Sequence, residues 1–282
     1  MRTHLFVSFW VVFAFLLSTT GCSHGDSKGQ KNDVAFDSID IEETYHLLNN
    51  PENPNCNLEI KFIYPTHLGN PSLLAELQKQ FVSTYFGENY ETYSPEEAVK
   101  RYTEDYLAAY KDLESDFQED LNKADERPVG AWYSYYEMSQ NEIDFNEQGI
   151  LCYTVSFENY TGGAHGAHSY NHHVIDLKTA KPLTETDIFV GDYEEKLAQI
   201  LVDQIAKQNN VANNKELENI GFFSIDEIFP NGNFRVDETG ITYSFNEYEI
   251  AAYVVGATHV QLPYKEIRHL LRDDSPISSL ID

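Results

Sequence analysis

The chain has 282 residues and a formal charge of −27, from 46 Asp+Glu against 19 Lys+Arg, with 41% hydrophobic and 13% aromatic residues. Its 19 Tyr and 17 Phe are too many for a disordered acidic tail, and the length suffices for one large or two small domains with cores of their own. The charge argues against nucleic acid, whose phosphates need clustered Lys and Arg, and favours cationic partners.

Residues 5–17, LFVSFWVVFAFLL, are an uncharged apolar run behind Arg2. The run is shorter than the ~20 residues of a membrane span, and a small-residue exit follows, as in a secretory signal. Ser18-Thr19-Thr20-Gly21-Cys22 resembles a bacterial lipobox. The expectation is a signal peptide over 1–21, lipidation at Cys22, and anchoring in the bacterial cell envelope, on the periplasmic face or the cell surface of the outer membrane. Removal of the leader leaves 18 Lys+Arg against 46 Asp+Glu, a formal −28. Residues 22–52 read as a flexible acidic tether, with Asp26, Asp33, Asp37, Asp40, Glu42 and Glu43 before the turn-rich NNPENPN.

Leu58, Ile60, Phe62 and Tyr64 alternate with more polar neighbours, which predicts a strand over 57–64. Asn70-Pro71 opens a helix whose Leu73, Leu77, Phe81 and Tyr85 recur every fourth residue up to Gly87. Ser94-Pro95-Glu96-Glu97 is a capping box. Val99, Tyr102, Tyr106, Tyr110, Leu113, Phe117 and Leu121 behind it predict one long amphipathic helix to about residue 123. Its outer face is acidic, with nine acids against two lysines between Glu104 and Glu126. Strands are expected at 131–139, 141–146 and 151–160, the last meeting Gly162-Gly163 and returning antiparallel through 165–177. The second half predicts a cap at Thr184–Asp187, a helix after Asp192, a hairpin of 233–236 and 241–245, a strand at 257–262 and a short helix after Pro263. The expected class is α+β, in two small domains (53–175 and 176–282), each an antiparallel sheet with helices on one face.

The densest chemistry is Tyr160-Thr161-Gly162-Gly163-Ala164-His165-Gly166-Ala167-His168, followed by His172 and His173. Glycines permit φ > 0 and close backbone approach, and histidine ligates metals and titrates near neutrality. If 165–177 is extended, His165 and His173 share one face and His168 and His172 the other. Residues four apart on one strand face lie roughly 13 Å apart, too far to share a metal. Neither a zinc-protease motif nor a nucleophile elbow nor a P-loop is present. No catalytic residue, metal ligand or cofactor is therefore assigned, and Tyr160, Thr161, Gly162, Gly163, His165, Gly166 and His168 are taken as candidate binding residues. Cys56 and Cys152 either pair in an oxidising compartment or stay as buried free thiols.

Three segments, taken together, resemble a known arrangement. They are Phe62-Ile63-Tyr64-Pro65, the run from Tyr153 to Gly166, and the run from Tyr243 through Tyr248-Glu249-Ile250-Ala251-Ala252-Tyr253 to Tyr264. They resemble the extracytoplasmic tandem of two domains of unknown function in RsiV-like anti-sigma factors and PdaC-like peptidoglycan deacetylases, over about residues 53–272. The resemblance implies a surface-exposed binding module, since RsiV-like ectodomains bind lysozyme. The expectation is that the length left over accommodates no separate deacetylase domain and that the four residues before the apolar run hold no sigma-factor-binding part. The reading is a lipid-anchored binding protein for a basic, lysozyme-like or cell-wall-related ligand. The alternative is a peptidoglycan-acting hydrolase or metal-binding protein using His165 and His168.

Overall fold

The computed structural model describes residues 29–123 and 130–281. The leader, Cys22, the first part of the tether, and Asp125 and Glu126 lie outside the described residues.

Much of the expected tether is a strand. β1 (Val34–His46) pairs antiparallel with β2 (Asn55–Leu68) from Val34↔Leu68 to His46↔Asn55. Its Val34, Phe36, Ile39 and Ile41 are partly buried against the core, an apolar pattern disguised by the acids between them. Upstream, Asn32 donates to Asn146 Oδ1 at 2.9 Å and to the Ile150 carbonyl at 2.8 Å, pinning the chain across the end of the sheet.

After β2 come α1 (Leu74–Phe86), α2 (Pro95–Lys111) and α3 (Glu114–Lys123). Asn70 and Ser94 cap as expected, accepting from the Ser72 and Glu97 amides. The single long helix is instead two. Glu114 accepts from Tyr45 Oη at 2.7 Å and the Leu48 amide at 2.8 Å, which draws the second helix onto the end of β1.

β3 (Tyr135–Glu147), β4 (Ile150–Tyr160), β5 (Ala167–Asp176) and β6 (Lys181–Pro182) complete a six-stranded sheet in chain order. The two strands expected at 131–139 and 141–146 are one, with an irregularity between Ile143 and Phe145. β4 and β5 pair antiparallel, as the glycine turn implies. The sheet is not wholly antiparallel, because β2 pairs parallel with β3 from Cys56↔Tyr135 to Lys61↔Gln140. The three helices supply the long crossover that a parallel pair requires. Where that ladder stops, the Asn141 amide takes over, accepting from the Ile63 N–H at 2.7 Å and donating to its carbonyl at 2.8 Å.

The second unit holds α4 (Glu185–Ile188), opened by a Thr184–Asp187 capping box, and α5 (Glu194–Gln208). A sheet of β7 (Phe234–Val236), β8 (Gly240–Phe245) and β9 (Thr258–Pro263) follows, then α6 (Tyr264–Ile267). The expected boundary at 175 falls within β5, and the first sheet runs on through β6 to Pro182.

The large sheet is covered differently on its two faces. Leu58, Ile60, Phe62, Leu151, Tyr153 and Val155 face α1 and α2. On the other face Ile150, Cys152 and Val174 join the core of the second unit, with Leu197, Leu201, Ile241 and Tyr243. The second unit thus covers one end of that face and leaves the other end open. Cys152 is fully buried for this reason.

Candidate functional site

Strand register writes the open end of the sheet as rows of side chains. One row runs Glu42, Glu59, Met138, Glu158, His168. The next runs Asp40, Lys61, Gln140, Ser156, Tyr170. Between them lies a groove of about 200 Å³ lined by residues of both rows.

The glycine-rich turn rims this groove. Gly162 and Gly163 take φ of +86° and +116°, and Tyr160 Oη donates to the Gly163 carbonyl at 2.9 Å. A Cβ on Gly162 would lie 2.9 Å from the Trp132 carbonyl oxygen, and one on Gly166 would lie 2.9 Å from Asn159 O and Tyr136 Oη. Both positions therefore combine turn geometry with close backbone approach. Thr161 is exposed beside them.

β5 begins only at Ala167, so His165 sits in the loop and escapes the strand parity expected of it. Its ring stacks on Tyr253 with centroids 3.7 Å apart, and its Nε2 lies 3.1 Å from Tyr248 Oη. His168 lies between two carboxylates: Nδ1 is 3.0 Å from Glu247 Oε1 and Nε2 3.5 Å from Glu158 Oε1. Glu158 also accepts from Tyr136 Oη at 2.9 Å, a bond that raises the Tyr136 pKa.

Before β6 joins it at Ile175, the outer edge of β5 is closed by side chains rather than by a strand. The amides of His168, Tyr170 and His172 donate to Glu247, Asn246 and Asn233 at 3.0, 2.8 and 2.8 Å. Asn233 also donates to the carbonyls of Tyr170 and Ser244.

Below the groove a polar chain crosses between the units. Arg235 donates to Asp144 at 2.7 Å, and Thr154 Oγ1 donates to Asp144 at 2.6 Å. His172 Nδ1 lies 2.6 Å from Thr154 Oγ1, His172 Nε2 lies 2.6 Å from Ser244 Oγ, and Ser244 Oγ lies 2.7 Å from His259 Nδ1. Thr154 has one proton and gives it to the carboxylate, so a neutral His172 donates from Nδ1. Ser244 then donates to His172 Nε2 and accepts from His259 Nδ1–H. Burial, reinforced by repulsion from Arg235 and His259, lowers the His172 pKa to about 3. His173 points to the helix side against Tyr153, and burial lowers it to about 4. Ser244 is fully buried.

The four clustered histidines thus separate into a ring stack, a groove-side carboxylate contact, a buried relay and a core contact. Among the described residues no three His, Cys, Asp or Glu side chains are placed to hold a metal ion. The cysteine pairing is excluded by register. Cys56 is level with Tyr135 at one end of β3, Cys152 with Phe145 near the other, and both are buried free thiols. Ten residues of strand span roughly 33 Å, and a disulfide needs Cα atoms within ~7 Å. Sequence reasoning missed Glu247, Asn246, Asn233, Ser244 and His259 as partners of β5, because they lie 61 to 89 positions downstream of the β5 residues they meet.

A crystal structure of a DUF3298-family member from Bacteroides fragilis NCTC 9343 superposes with a TM-score of 0.84 at 35% sequence identity, covering 89% of this chain and 98% of that one. This chain belongs to the DUF3298 family. Within it, residues 186–265 match the family model described as "Protein of unknown function (DUF3298)", and residues 51–168 match that described as "Deacetylase PdaC". These matches form the tandem that the sequence resemblance implied. A DUF3298-family structure from Pseudomonas aeruginosa PAO1 shares the fold at 14% identity, with a TM-score of 0.59, covering 86% of this chain and 97% of that one. No curated protein matches the chain. The stack of His165 on Tyr253 and the clamp of Glu247 on His168 lie where the two matched regions meet.

Proposed function

We propose that this DUF3298-family chain is a non-catalytic, envelope-facing binding protein that receives a cationic protein on the open end of its six-stranded sheet. One observation carries the proposal. Along the two rows and their Glu247 clamp stand Asp40, Glu42, Glu59, Glu158 and Glu247, with Lys61 the basic side chain among them. Glu42 and Glu59 are direct cross-strand partners, and like charges placed directly opposite are destabilising. A ligand that brings positive charge there relieves the repulsion, so binding is favoured over the free state.

Lipidation at Cys22 would place this face outside the cytoplasm, each buried CH₂ of the lipid contributing ~0.8 kcal/mol to anchoring. Among the described residues no helix is long and apolar enough to cross a membrane. The tandem's likeness to RsiV-like ectodomains makes lysozyme the first ligand to test. Calorimetry at ~0.15 M salt, where the Debye length is ~8 Å, should show saturable binding that weakens as salt rises and when Glu59 and Glu158 are changed to Gln. Saturable binding unaffected by those changes, or no binding, refutes the proposal.

The second reading is a cell-wall hydrolase, in keeping with the deacetylase family that residues 51–168 match. His168 beside Glu247 at the groove has the geometry of a carboxylate-oriented general base. Turnover of purified cell wall that is lost in His168→Ala would favour this reading over the first.

A further inference from the structure

The first strand of the sheet carries a further consequence. β1 is an edge strand of 13 residues, and among the described residues no strand pairs with its outer side. Two bonds fix which residues present backbone to that side. The Leu47 amide donates across the hairpin to Pro54 O at 3.0 Å, so odd-numbered positions face β2. The Ser38 amide is turned away from β2 and is met by Asp37 Oδ1 at 2.8 Å. N–H and C=O of one residue point to the same side of an antiparallel strand, so Ser38, Asp40, Glu42 and Thr44 offer theirs outward.

Long edges are usually blunted by Pro, Lys or a bulge within the edge. The segment 37–45, DSIDIEETY, has neither Pro nor Lys, and the one register shift of β1 lies before it, between Ala35 and Phe36. Its protection is charge. A second copy pairing edge to edge would bring Asp40 and Glu42 close to their own counterparts. The same charges welcome an opposite one.

We infer that β1 is a β-augmentation site for an extended segment of a cationic protein, with Lys or Arg at alternate positions opposite Asp40 and Glu42. The residue between them would lie beside Ile41, which is partly buried on the helix side, so the fitting pattern is basic, apolar, basic. The added strand would lengthen both rows of the open face by one position. The inference rests on the acidic face being the ligand-facing one.

The test uses the full protein and a capped hexapeptide of alternating Val and Lys, followed by calorimetry. Saturable binding is expected, abolished when alternate backbone amides of the peptide are N-methylated and weakened roughly tenfold by Asp40→Asn with Glu42→Gln. Asp40→Pro with Glu42→Pro removes two outward donors without touching the β2 ladder and should abolish binding with the thermal midpoint nearly unchanged. Binding that survives N-methylation shows charge attraction alone; it overturns the inference and leaves the acidic-face reading standing. Lysozyme binding without peptide binding has the same consequence. Failure of both ligands removes both readings. Self-association abolished by the proline pair assigns the edge to a second copy and overturns the inference.

Discussion

His172 shows how much a single residue's surroundings decide. It sits in a histidine-rich run, a residue type that ligates metals and titrates near neutrality, yet burial, reinforced by a nearby guanidinium, holds it neutral between two hydroxyls. The unfolded histidine takes up a proton near pH ~6.5, the folded one only near 3, and His173 near 4. Below ~6.5 the unfolded state therefore binds more protons, and stability falls with falling pH. The expected slope is up to ~1.4 kcal/mol per pH unit for each of the two histidines between pH ~6 and ~4.5. Urea denaturation across that range checks it, and a flat profile would contradict it. His172→Gln should flatten part of the slope.

Elements were legible in proportion to the purity of their pattern. α1, α2, β2, β4 and the β7–β8 hairpin follow apolar periodicity and cap or turn residues that any reader of the sequence can find. β1 was hidden because Asp37, Asp40, Glu42 and Glu43 made its alternation look like a solvated linker. β4 concealed a different fact: both of its faces are buried at the Ile150 end, one under α1 and α2 and the other under the second unit. The edge of β5 was beyond sequence reading altogether, since its partners are side chains from a separate unit. Asn233 is the centre of that closure, accepting from one β5 amide and donating to two carbonyls. Asn233→Ala leaves the His172 amide without its acceptor, while Asn246 and Asn231 still donate to the Tyr170 and Ser244 carbonyls, and should cost about 1–3 kcal/mol by chemical denaturation. A loss below ~0.5 kcal/mol would mean that water substitutes for the amide.

At the scale of the molecule, the tandem behaves as two sequence families sharing one core wall. The glycine-histidine run was legible as special, but its meaning required the second unit, because Tyr248 and Tyr253 meet His165 and Glu247 meets His168 from there. Ile150, Cys152 and Val174 belong by chain to the first unit and by packing to the second. Separating the units would expose them and strip three amides of their acceptors. The two units should therefore unfold in one cooperative transition, with coincident tyrosine fluorescence and far-ultraviolet circular dichroism midpoints; resolved midpoints would show independent domains.

Cys152 gives that interface a chemical clock. Its thiol is fully buried, donates to the Val236 carbonyl on β7 at 3.3 Å, and is pushed by burial to a pKa of about 12. It has no route to an oxidant or an alkylating reagent while β7 lies over β4, so its modification rate counts the openings of that contact. Cys56, held in a separate apolar cluster with Leu47, Tyr110 and Phe117, counts the departures of the helices instead. Two thiols too far apart to join thus time-stamp, in one polypeptide, the loosening of its two seams.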